Sequence, residues 1–157
     1  MSGAADSGVL SVHNQTLYLV SCVKSKAPDP ALAKDLYISA WFRKARHYVE
    51  QRHAPWLILS AEHGLVSPDE LLAPYDRTLN AMGVAQRRAW AQRVRSQMDR
   101  RLPYVTRIVI FAGKKYREYL MDYLRGRAAT VEVPLEHLGR LQQLAWFNKM
   151  ELNEPAR

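Results

Sequence analysis

Residues 17–26, LYLVSCVKSK, combine a short apolar run with a cluster of reactive side chains. The run at residues 17–21 contains no charged residue, which predicts a strand that is buried on both of its faces. Four polar or reactive side chains follow it within five positions: Cys22, Lys24, Ser25 and Lys26. Because open α/β sheets bind their ligands beyond the carboxyl ends of the strands, this loop is predicted to belong to a binding site.

Outward from this stretch, apolar runs alternate with helical patterns. Strands are predicted over residues 17–21, 56–59, 107–112 and 130–133, and helices over residues 39–52, 84–101, 112–124 and 139–150. The alternation predicts an α/β fold: a single three-layer domain with a central, mostly parallel four-stranded sheet flanked by helices. Residues 16–153 are expected to form this domain. Residues 1–15 lack the features of a signal peptide and are expected to be a flexible leader.

Parallel strands bring the segments that follow them to one edge of the sheet. We therefore expect CVKSK, SAEHG, AGKKY and PLEH to converge on a single pocket. Within it, Glu62 or Asp76 is expected to activate a water molecule or stabilise a developing positive charge, and His63 to act as acid, base or donor. Glu62 pairing with a lysine is the alternative for that residue. The candidate substrate-binding residues are Cys22, Lys24, Ser25, Lys26, Tyr37, Ser60, Tyr75, Gly113, Lys114 and Tyr116.

Several of these candidates have a second interpretation. Lys26 is expected either to hold a phosphate or, if desolvated, to act as a nucleophile. Cys22 at the end of a strand is more typical of a small buried core residue than of a nucleophile. Tyr37 and Tyr75 lie in irregular segments and are candidates for stacking on a base, whereas core packing is the stronger expectation for Tyr116.

Basic residues are concentrated in one part of a chain whose formal net charge is +8. Residues 82–127 contain twelve lysines and arginines against three acidic residues, and the remainder is close to neutral. This concentration is typical of a protein that binds a polyanion, and nucleic acid, DNA in particular, is the expected partner. A solvated, arginine-rich helix surface is the alternative. The candidates for contact with the nucleic-acid backbone are Arg87, Arg88, Arg95 and Lys115.

Other familiar kinds of site have no sequence support. There is no GxGxxG and no Walker sequence, so dinucleotide and triphosphate binding lack a motif. The single cysteine and the scattered histidines do not have zinc-ligand spacing, and neither a metal nor a cofactor is predicted. No apolar run approaches the roughly 20 residues of a membrane span. One cysteine cannot form an internal disulfide, which is typical of a cytoplasmic protein.

A series of motifs spread over residues 17–147 resembles a family of small bacterial and phage proteins that is catalogued as a domain of unknown function. The segments that carry the resemblance are SCVKSK, DLYxSxxFRKA, ILSAEHGLVSPDE, PYDxTL, FAGKKYREYL, VPLE and QQLAW. They include the loop after the first strand, the turn after the second and the start of the helix after the third. The resemblance therefore covers most of the predicted pocket.

A more remote likeness concerns the loop after the first strand. Cys22-x3-Lys26 resembles the Pro-Cys-x3-Lys-Pro-Tyr motif of the archaeosine synthase core domain, with Ser21 in place of the first proline and Ala27-Pro28 in place of Pro-Tyr. The lysine of that domain attacks a deazaguanine base in tRNA, and the domain is associated with the uracil-DNA-glycosylase-like α/β fold. The resemblance therefore implies such a fold here, with a pocket for a nucleobase.

Taken together with the nucleobase pocket that the resemblance implies, the basic segment leads us to expect a DNA glycosylase, a hydrolase of N-glycosidic bonds that acts in DNA repair. A 5-substituted pyrimidine such as 5-hydroxymethyluracil is the expected modified base, flipped into the pocket while the arginines hold phosphates. A nucleobase-modifying transferase that uses Lys26 is the first alternative. A nucleotide- or nucleic-acid-binding module without enzymatic activity is the second.

Overall fold

The computed structural model describes residues 15–152, within which a five-stranded sheet lies among six α-helices. The strands are β1 Thr16–Ser21, β2 Ala31–Leu32, β3 Trp56–Ser60, β4 Gly64–Val66, β5 Leu71–Leu72, β6 Arg107–Phe111 and β7 Thr130–Glu132. The helices are α1 Ala33–Leu36, α2 Ala40–Gln51, α3 Val84–Arg101, α4 Lys114–Arg117, α5 Met121–Arg125 and α6 Arg140–Leu152, with a 3-10 turn at Leu79–Ala81. The leader predicted over residues 1–15 lies, except for Gln15, outside the described residues, as does residue 153.

The central sheet has the strand order β4-β3-β1-β6-β7. Strands β1, β3, β6 and β7 are parallel, which confirms the four predicted parallel strands. The predicted strand count was nevertheless wrong, because β4 adds a fifth, antiparallel strand beside β3. The chain reverses through Gly64, whose φ of 75° lies in the left-handed region that glycine tolerates. Only two apolar side chains, Leu65 and Val66, follow the turn glycine in β4, which is too few to show the alternation that marks a strand.

Strand β1 occupies the centre of the sheet, and both of its faces are buried. On one face Tyr18 and Phe111 meet an aromatic cluster from α2 and α6, formed by Tyr48, Trp146 and Phe147. The other face, with Leu19 and Ile110, is equally inaccessible. The layered burial of the first strand, predicted from its apolar run, is thus present in the structure.

The connections place a topological switch point between β1 and β6. From β1 the chain crosses through α2 to β3 on one side, and it then returns through α3 to β6 on the other side. Right-handed crossovers in opposite directions put their helices on opposite faces of the sheet, so a crevice opens between the carboxyl ends of β1 and β6. Ligands of open α/β sheets bind in such a crevice.

The helix predicted after β6 is interrupted. Helix α4 ends at Arg117, the Leu120 N–H bonds back to the Arg117 carbonyl, and α5 begins at Met121. Tyr116, Leu120 and Leu124 are still buried at intervals of four residues, so the interruption keeps one inner face. Neither glycine nor proline marks this turn in the sequence. In α6, Leu141 is 80% exposed, whereas Phe147 is buried.

Within residues 15–152, every helix is too short or too polar to traverse a lipid bilayer.

Candidate functional site

Two adjoining cavities open at the carboxyl ends of β1 and β6. The first, of about 330 Å³, is lined by Lys26, Asp76 and Arg77 among others, and we call it the Asp76 cavity. The second, of about 440 Å³, is lined by Ser25, Gly113 and Arg140 among others, and we call it the Arg140 cavity. Both volumes lie in the range of roughly 300–1,000 Å³ that is usual for small-molecule sites. The two cavities share Cys22, Val23, Lys24, Asn80 and Tyr116.

Three hydroxyl groups form a chain beside the Asp76 cavity. The Tyr75 hydroxyl lies 2.7 Å from that of Tyr37 and 2.9 Å from that of Ser60. The Ser60 hydroxyl in turn accepts a hydrogen bond from the His63 N–H at 3.0 Å. Three segments that are distant in the chain are therefore tied together: the end of α1, the end of β3 and the loop before the 3-10 turn.

Burial changes the acid–base behaviour of these tyrosines. Desolvation raises the pKa of Tyr37 to about 12, because a phenolate is poorly solvated away from water. Desolvation also raises the pKa of Tyr75, and the neighbouring Cys22 and Tyr37 add to the shift. Both hydroxyls therefore remain protonated at neutral pH and act as hydrogen-bond donors or acceptors rather than as bases.

Lys26 links the tyrosines to the cavity. Its ammonium group lies 4.4 Å from the centre of the Tyr75 ring and 5.8 Å from that of Tyr37, and it donates to the Lys24 carbonyl at 3.1 Å. Burial lowers the pKa of Lys26, although the nearby Cys22 and Asp76 partly oppose that effect. A half-buried ammonium with a lowered pKa on a cavity wall can serve as a proton donor or, once neutral, as a nucleophile.

Cys22 and Tyr116 form the wall between the two cavities. The Cys22 thiol is buried, donates to the Tyr116 hydroxyl at 3.5 Å and accepts from the Ala61 N–H at 3.4 Å. The Tyr116 hydroxyl also accepts from the Leu79 N–H at 3.3 Å. Desolvation, reinforced by Cys22, raises the pKa of Tyr116. Both side chains face the cavities while being held by the protein itself.

The three predicted catalytic residues occupy different positions. Asp76 is exposed and lines the Asp76 cavity, and within residues 15–152 its side chain has no hydrogen-bond or ion-pair partner. Glu62 forms an ion pair of 3.1 Å with Arg77, a lining residue of the Asp76 cavity, which matches the pairing alternative although the partner is an arginine. The His63 ring packs edge-on against Tyr75 at 5.6 Å. Asp76 is therefore the carboxylate that is available to a ligand.

The residues predicted to contact the nucleic-acid backbone also differ in their exposure and in their partners. Arg87 has a side chain that is only 12% exposed and pairs with Glu118 at 3.1 Å, so it is engaged within the protein. The exposed Arg88 and Arg95 lie over the rings of Tyr119 and Tyr123, respectively. Lys115 donates to the Asn80 carbonyl at 3.3 Å, beside the cavities, and Lys114 is exposed at the start of α4.

The polar lining residues that were not candidates from the sequence include Arg77, Asn80, Arg140 and Gln143. Arg77 and Asn80 lie within four positions of Asp76, in the loop and the 3-10 turn that follow it, and that proximity was the one available signal. Arg140 and Gln143 belong to α6, whose approach to β1 depends on packing of α6 against α2 and has no local signature. Only the tertiary structure brings them to the site.

Metal binding has no basis in the described part of the chain. Across residues 15–152, the side chains of histidine, cysteine, aspartate and glutamate do not gather into a group of three or more that could hold an ion. The polar groups of the site are instead hydroxyls, an amide, cations and one carboxylate. Such a set suits an organic ligand that carries negative charge.

Comparison with known proteins identifies a family that includes this chain. Residues 17–149 match the model of a family of unknown function, DUF6884.

The chain belongs to the DUF6884 family.

The DUF6884 match includes residues 17–21 of β1, all of β6 and all the described residues that line the two cavities. The chain is also similar to the uncharacterized protein YfjM of Bacillus subtilis (strain 168), with 31% identity over 111 residues that cover 66% of this chain and 73% of the relative. No solved structure matches the chain. The predicted resemblance to a family of unknown function is thus confirmed, whereas the likeness to archaeosine synthase and to uracil-DNA-glycosylase-like folds stays a prediction.

Proposed function

We propose that this DUF6884 protein is a DNA glycosylase that hydrolyses the N-glycosidic bond of a modified base. The observation that carries the proposal is the position of Asp76 and Lys26 on one cavity at the β1–β6 switch point. A carboxylate without a hydrogen-bond or ion-pair partner among the described residues and an ammonium with a lowered pKa can serve as the base and the acid of such a hydrolysis. Their positions support a role for Asp76 in binding the attacking water and a role for Lys26 in protonating the departing base.

In the proposed reaction the bond between the sugar C1′ and the base nitrogen breaks, and a bond from C1′ to the water oxygen forms. The Asp76 carboxylate holds the water, stabilises the positive charge that develops on the sugar and accepts the proton that the water loses. Lys26 donates its proton to the base as the base leaves. Burial favours this donation, because an ammonium with a lowered pKa gives up its proton more readily.

The Asp76 cavity has room and polar groups for a single base. Asn80 presents a side-chain amide, which offers both a donor and an acceptor to the edge of a nucleobase. Tyr116 supplies an aromatic wall. A 5-substituted pyrimidine such as 5-hydroxymethyluracil is the base that we propose, since a flipped pyrimidine with one polar substituent suits a cavity of about 330 Å³.

Contacts with DNA are proposed for exposed arginines of α3 and for Lys115 beside the cavities. Arg88 and Arg95 lie seven positions apart on α3, each held over a tyrosine ring, and Lys115 lies beside Asn80. Guanidinium groups that are already oriented lose less entropy when they bind phosphates. Arg87 is not expected to contact DNA, because its guanidinium is paired with Glu118.

The direct test uses duplex oligonucleotides, each with one modified base, incubated with the purified protein at low salt. We expect abasic sites, detected by strand cleavage in alkali, for at least one 5-substituted pyrimidine. The Asp76→Asn protein, purified in the same way, is the matched control and should form far fewer abasic sites while still binding DNA. Absence of abasic product across the whole panel would contradict the proposal.

A second candidate function is favoured by the environment of Lys26. Its lowered pKa and its contact with Tyr75 also suit a transferase in which the neutral amine attacks the base. Lys26→Arg keeps the positive charge but cannot form the covalent bond. Loss of all activity in Lys26→Arg together with trapping of a lysine–base adduct would favour the transferase over the glycosylase. DNA binding without turnover in either assay would indicate a binding module.

A further inference from the structure

Two adjoining cavities with a shared wall can be filled by one ligand that has two parts. Asp76 is the one acidic residue among the described residues that line the two cavities. The proposed occupant of the Asp76 cavity is the base. The Arg140 cavity, about 440 Å³ in volume, remains for a different part of the same molecule. Lys24 and Asn80 line both cavities, so a ligand that passes from one to the other stays in contact with them.

The Arg140 cavity is positively charged. Lys24 and Arg140 line it, and no aspartate or glutamate stands among its described lining residues. Both side chains are exposed, and within residues 15–152 neither forms an ion pair. The hydroxyls of Ser25 and Ser39 add further polar groups. Two unpaired cations around a polar cavity favour an anionic group over a neutral one.

Helix packing positions the arginine. The Gln143 side chain accepts a hydrogen bond from the Trp41 indole N–H at 2.7 Å and donates to the Leu138 carbonyl at 2.9 Å. These bonds tie the first turn of α6 to the first turn of α2. The start of α6, and with it the backbone of Arg140, is thereby held at the edge of the cavity. The planar guanidinium of an arginine at this position suits the bidentate recognition of phosphate oxygens.

We infer that the Arg140 cavity binds the phosphate group of a nucleotide whose base enters the Asp76 cavity. The choice of a nucleotide rests on the proposed function, whereas the phosphate site itself rests on Lys24, Arg140 and the cavity. A free nucleoside monophosphate and the flanking phosphate of a DNA strand present the same chemistry to these groups.

The test is a titration of the full chain with inorganic phosphate at constant ionic strength, followed by amide NMR. Saturable shifts are expected at Lys24, Ser25, Gly113 and Arg140. In the Lys24→Gln/Arg140→Gln double variant the dissociation constant should rise by about tenfold or more, equivalent to ~1.4 kcal/mol. No saturable shift at these amides in the native chain, or an unchanged dissociation constant in the double variant, would overturn the inference.

Arg100→Gln is the matched control, because Arg100 is an exposed arginine in the last turn of α3, outside both cavities. It should leave phosphate binding within about twofold of the native value. The amide spectrum of each variant also reports whether the chain is folded. An equal loss of binding in Arg100→Gln would reduce the effect to net charge and would count against a specific site.

Competition then distinguishes the source of the phosphate. Displacement of inorganic phosphate by thymidine 5′-monophosphate, but not by thymidine, indicates a free nucleotide. Displacement only by a thymidine oligonucleotide indicates a strand phosphate, and displacement by neither overturns the inference. Phosphate binding without release of any base would contradict the glycosylase alone. Base release that is unaffected by the double variant would contradict the phosphate site alone.

Discussion

The ammonium nitrogen of Lys26 lies 4.4 Å from the centre of the Tyr75 ring, and Lys26 also lines the Asp76 cavity. The ring attracts the cation, and the Tyr75 hydroxyl is anchored at 2.7 Å to Tyr37 and at 2.9 Å to Ser60. The lysine therefore lies against a partly buried ring whose hydroxyl is hydrogen-bonded to two other segments. Its position depends on contacts among three separate segments of the chain rather than on its own loop.

The first prediction concerns that support. Tyr75→Phe should lower the free energy of unfolding by about 1–2 kcal/mol, because the hydroxyls of Tyr37 and Ser60 are each deprived of a buried partner. The ring that supports Lys26 is retained, so the destabilisation comes from the hydroxyl alone. Urea unfolding measures the difference. Tyr104→Phe, at a tyrosine that is 58% exposed, should change stability by less than about 0.5 kcal/mol, and equal effects of the two substitutions would contradict the buried network.

Stability at alkaline pH is the second prediction. The raised pKa values of Tyr37, Tyr75 and Tyr116 mean that the folded chain keeps protons that the unfolded chain releases near the ordinary tyrosine value of 10.0. Their contribution is fully present below pH 10 and is lost as the pH rises toward the folded pKa, about 12 for Tyr37. The free energy of unfolding should therefore fall steeply above about pH 10.

Unfolding curves and tyrosinate absorbance, recorded over the same pH range, check this expectation. The pKa of Lys26 is lowered, and so its effect has the opposite sign, with stability rising as the pH approaches 10.5. The two buried tyrosines, Tyr37 and Tyr116, and the partly buried Tyr75 should outweigh one half-buried lysine. Tyr37→Phe should flatten the alkaline slope, and an identical slope in that variant would show that Tyr37 is not among the groups responsible.

A third prediction separates the two carboxylates. Under the proposed glycosylase reaction, Asp76→Asn should reduce base release by on the order of a hundredfold or more, because it removes the group that holds the water. Glu62→Gln should have a much smaller effect, since Glu62 is paired with Arg77. Single-turnover rates on the best substrate measure both. A larger loss of rate in Glu62→Gln than in Asp76→Asn would reverse the assignment of roles.

The fourth prediction tests the turn into β4. Gly64→Ala should cost roughly 2 kcal/mol of stability or more, because alanine disfavours a positive φ. The added Cβ would also overlap the side-chain oxygen of Gln97. Gly113→Ala is the control, since Gly113 has a φ of −69° and nothing lies within 4 Å of an added Cβ. Equal thermal stability of the two variants would show that the turn is less constrained than the backbone indicates.

DNA binding by the exposed arginines is the fifth prediction. The Arg88→Gln/Arg95→Gln double variant should reduce the slope of log affinity against log salt by about 1.8, or roughly 0.9 for each phosphate that the protein no longer neutralises. Fluorescence anisotropy with a duplex at several salt concentrations measures the slope. Lys149→Gln, which removes an exposed charge from α6, should leave it unchanged. If the native chain, the double variant and Lys149→Gln have the same salt dependence of affinity, DNA does not contact Arg88 or Arg95.

Much of the fold could be predicted because its determinants are local. The bounds of α3 at residues 84–101 follow from the helical spacing of Trp90, Val94 and Met98. The start of the helix predicted over residues 39–52 is also confirmed, because the Ser39 hydroxyl caps α2 by accepting from the Phe42 N–H at 3.1 Å. The convergence of the loops after β1 and β6 on the two cavities also follows from sequence, since alternating strands and helices require parallel crossovers, whereas none of the described lining residues comes from the loop after β3. Membership of a family of unknown function was visible in the motifs.

The loop after β7 is a partial exception. Among the residues of PLEH, Leu135 is buried and Glu136 pairs with Arg117 at 3.3 Å, at the end of α4. This segment reaches the predicted edge of the sheet but contributes to its packing, because β7 lies two strands away from β1. Strand order decides which loops share a cavity, and the sequence alone does not reveal that order.

By itself, therefore, the sequence determined the alternation of strands and helices, the turn at Gly64 and the polar loop after β1. Each of these depends on residues close together in the chain, where periodicity and backbone preference are the dominant forces. The tertiary structure alone decided that Asp76 is available while Glu62 is paired with Arg77, that Tyr75 supports Lys26, and that α6 brings Arg140 to the site. Those relationships arise from packing between distant segments, where burial and charge pairing select among arrangements that are equivalent at the level of local sequence.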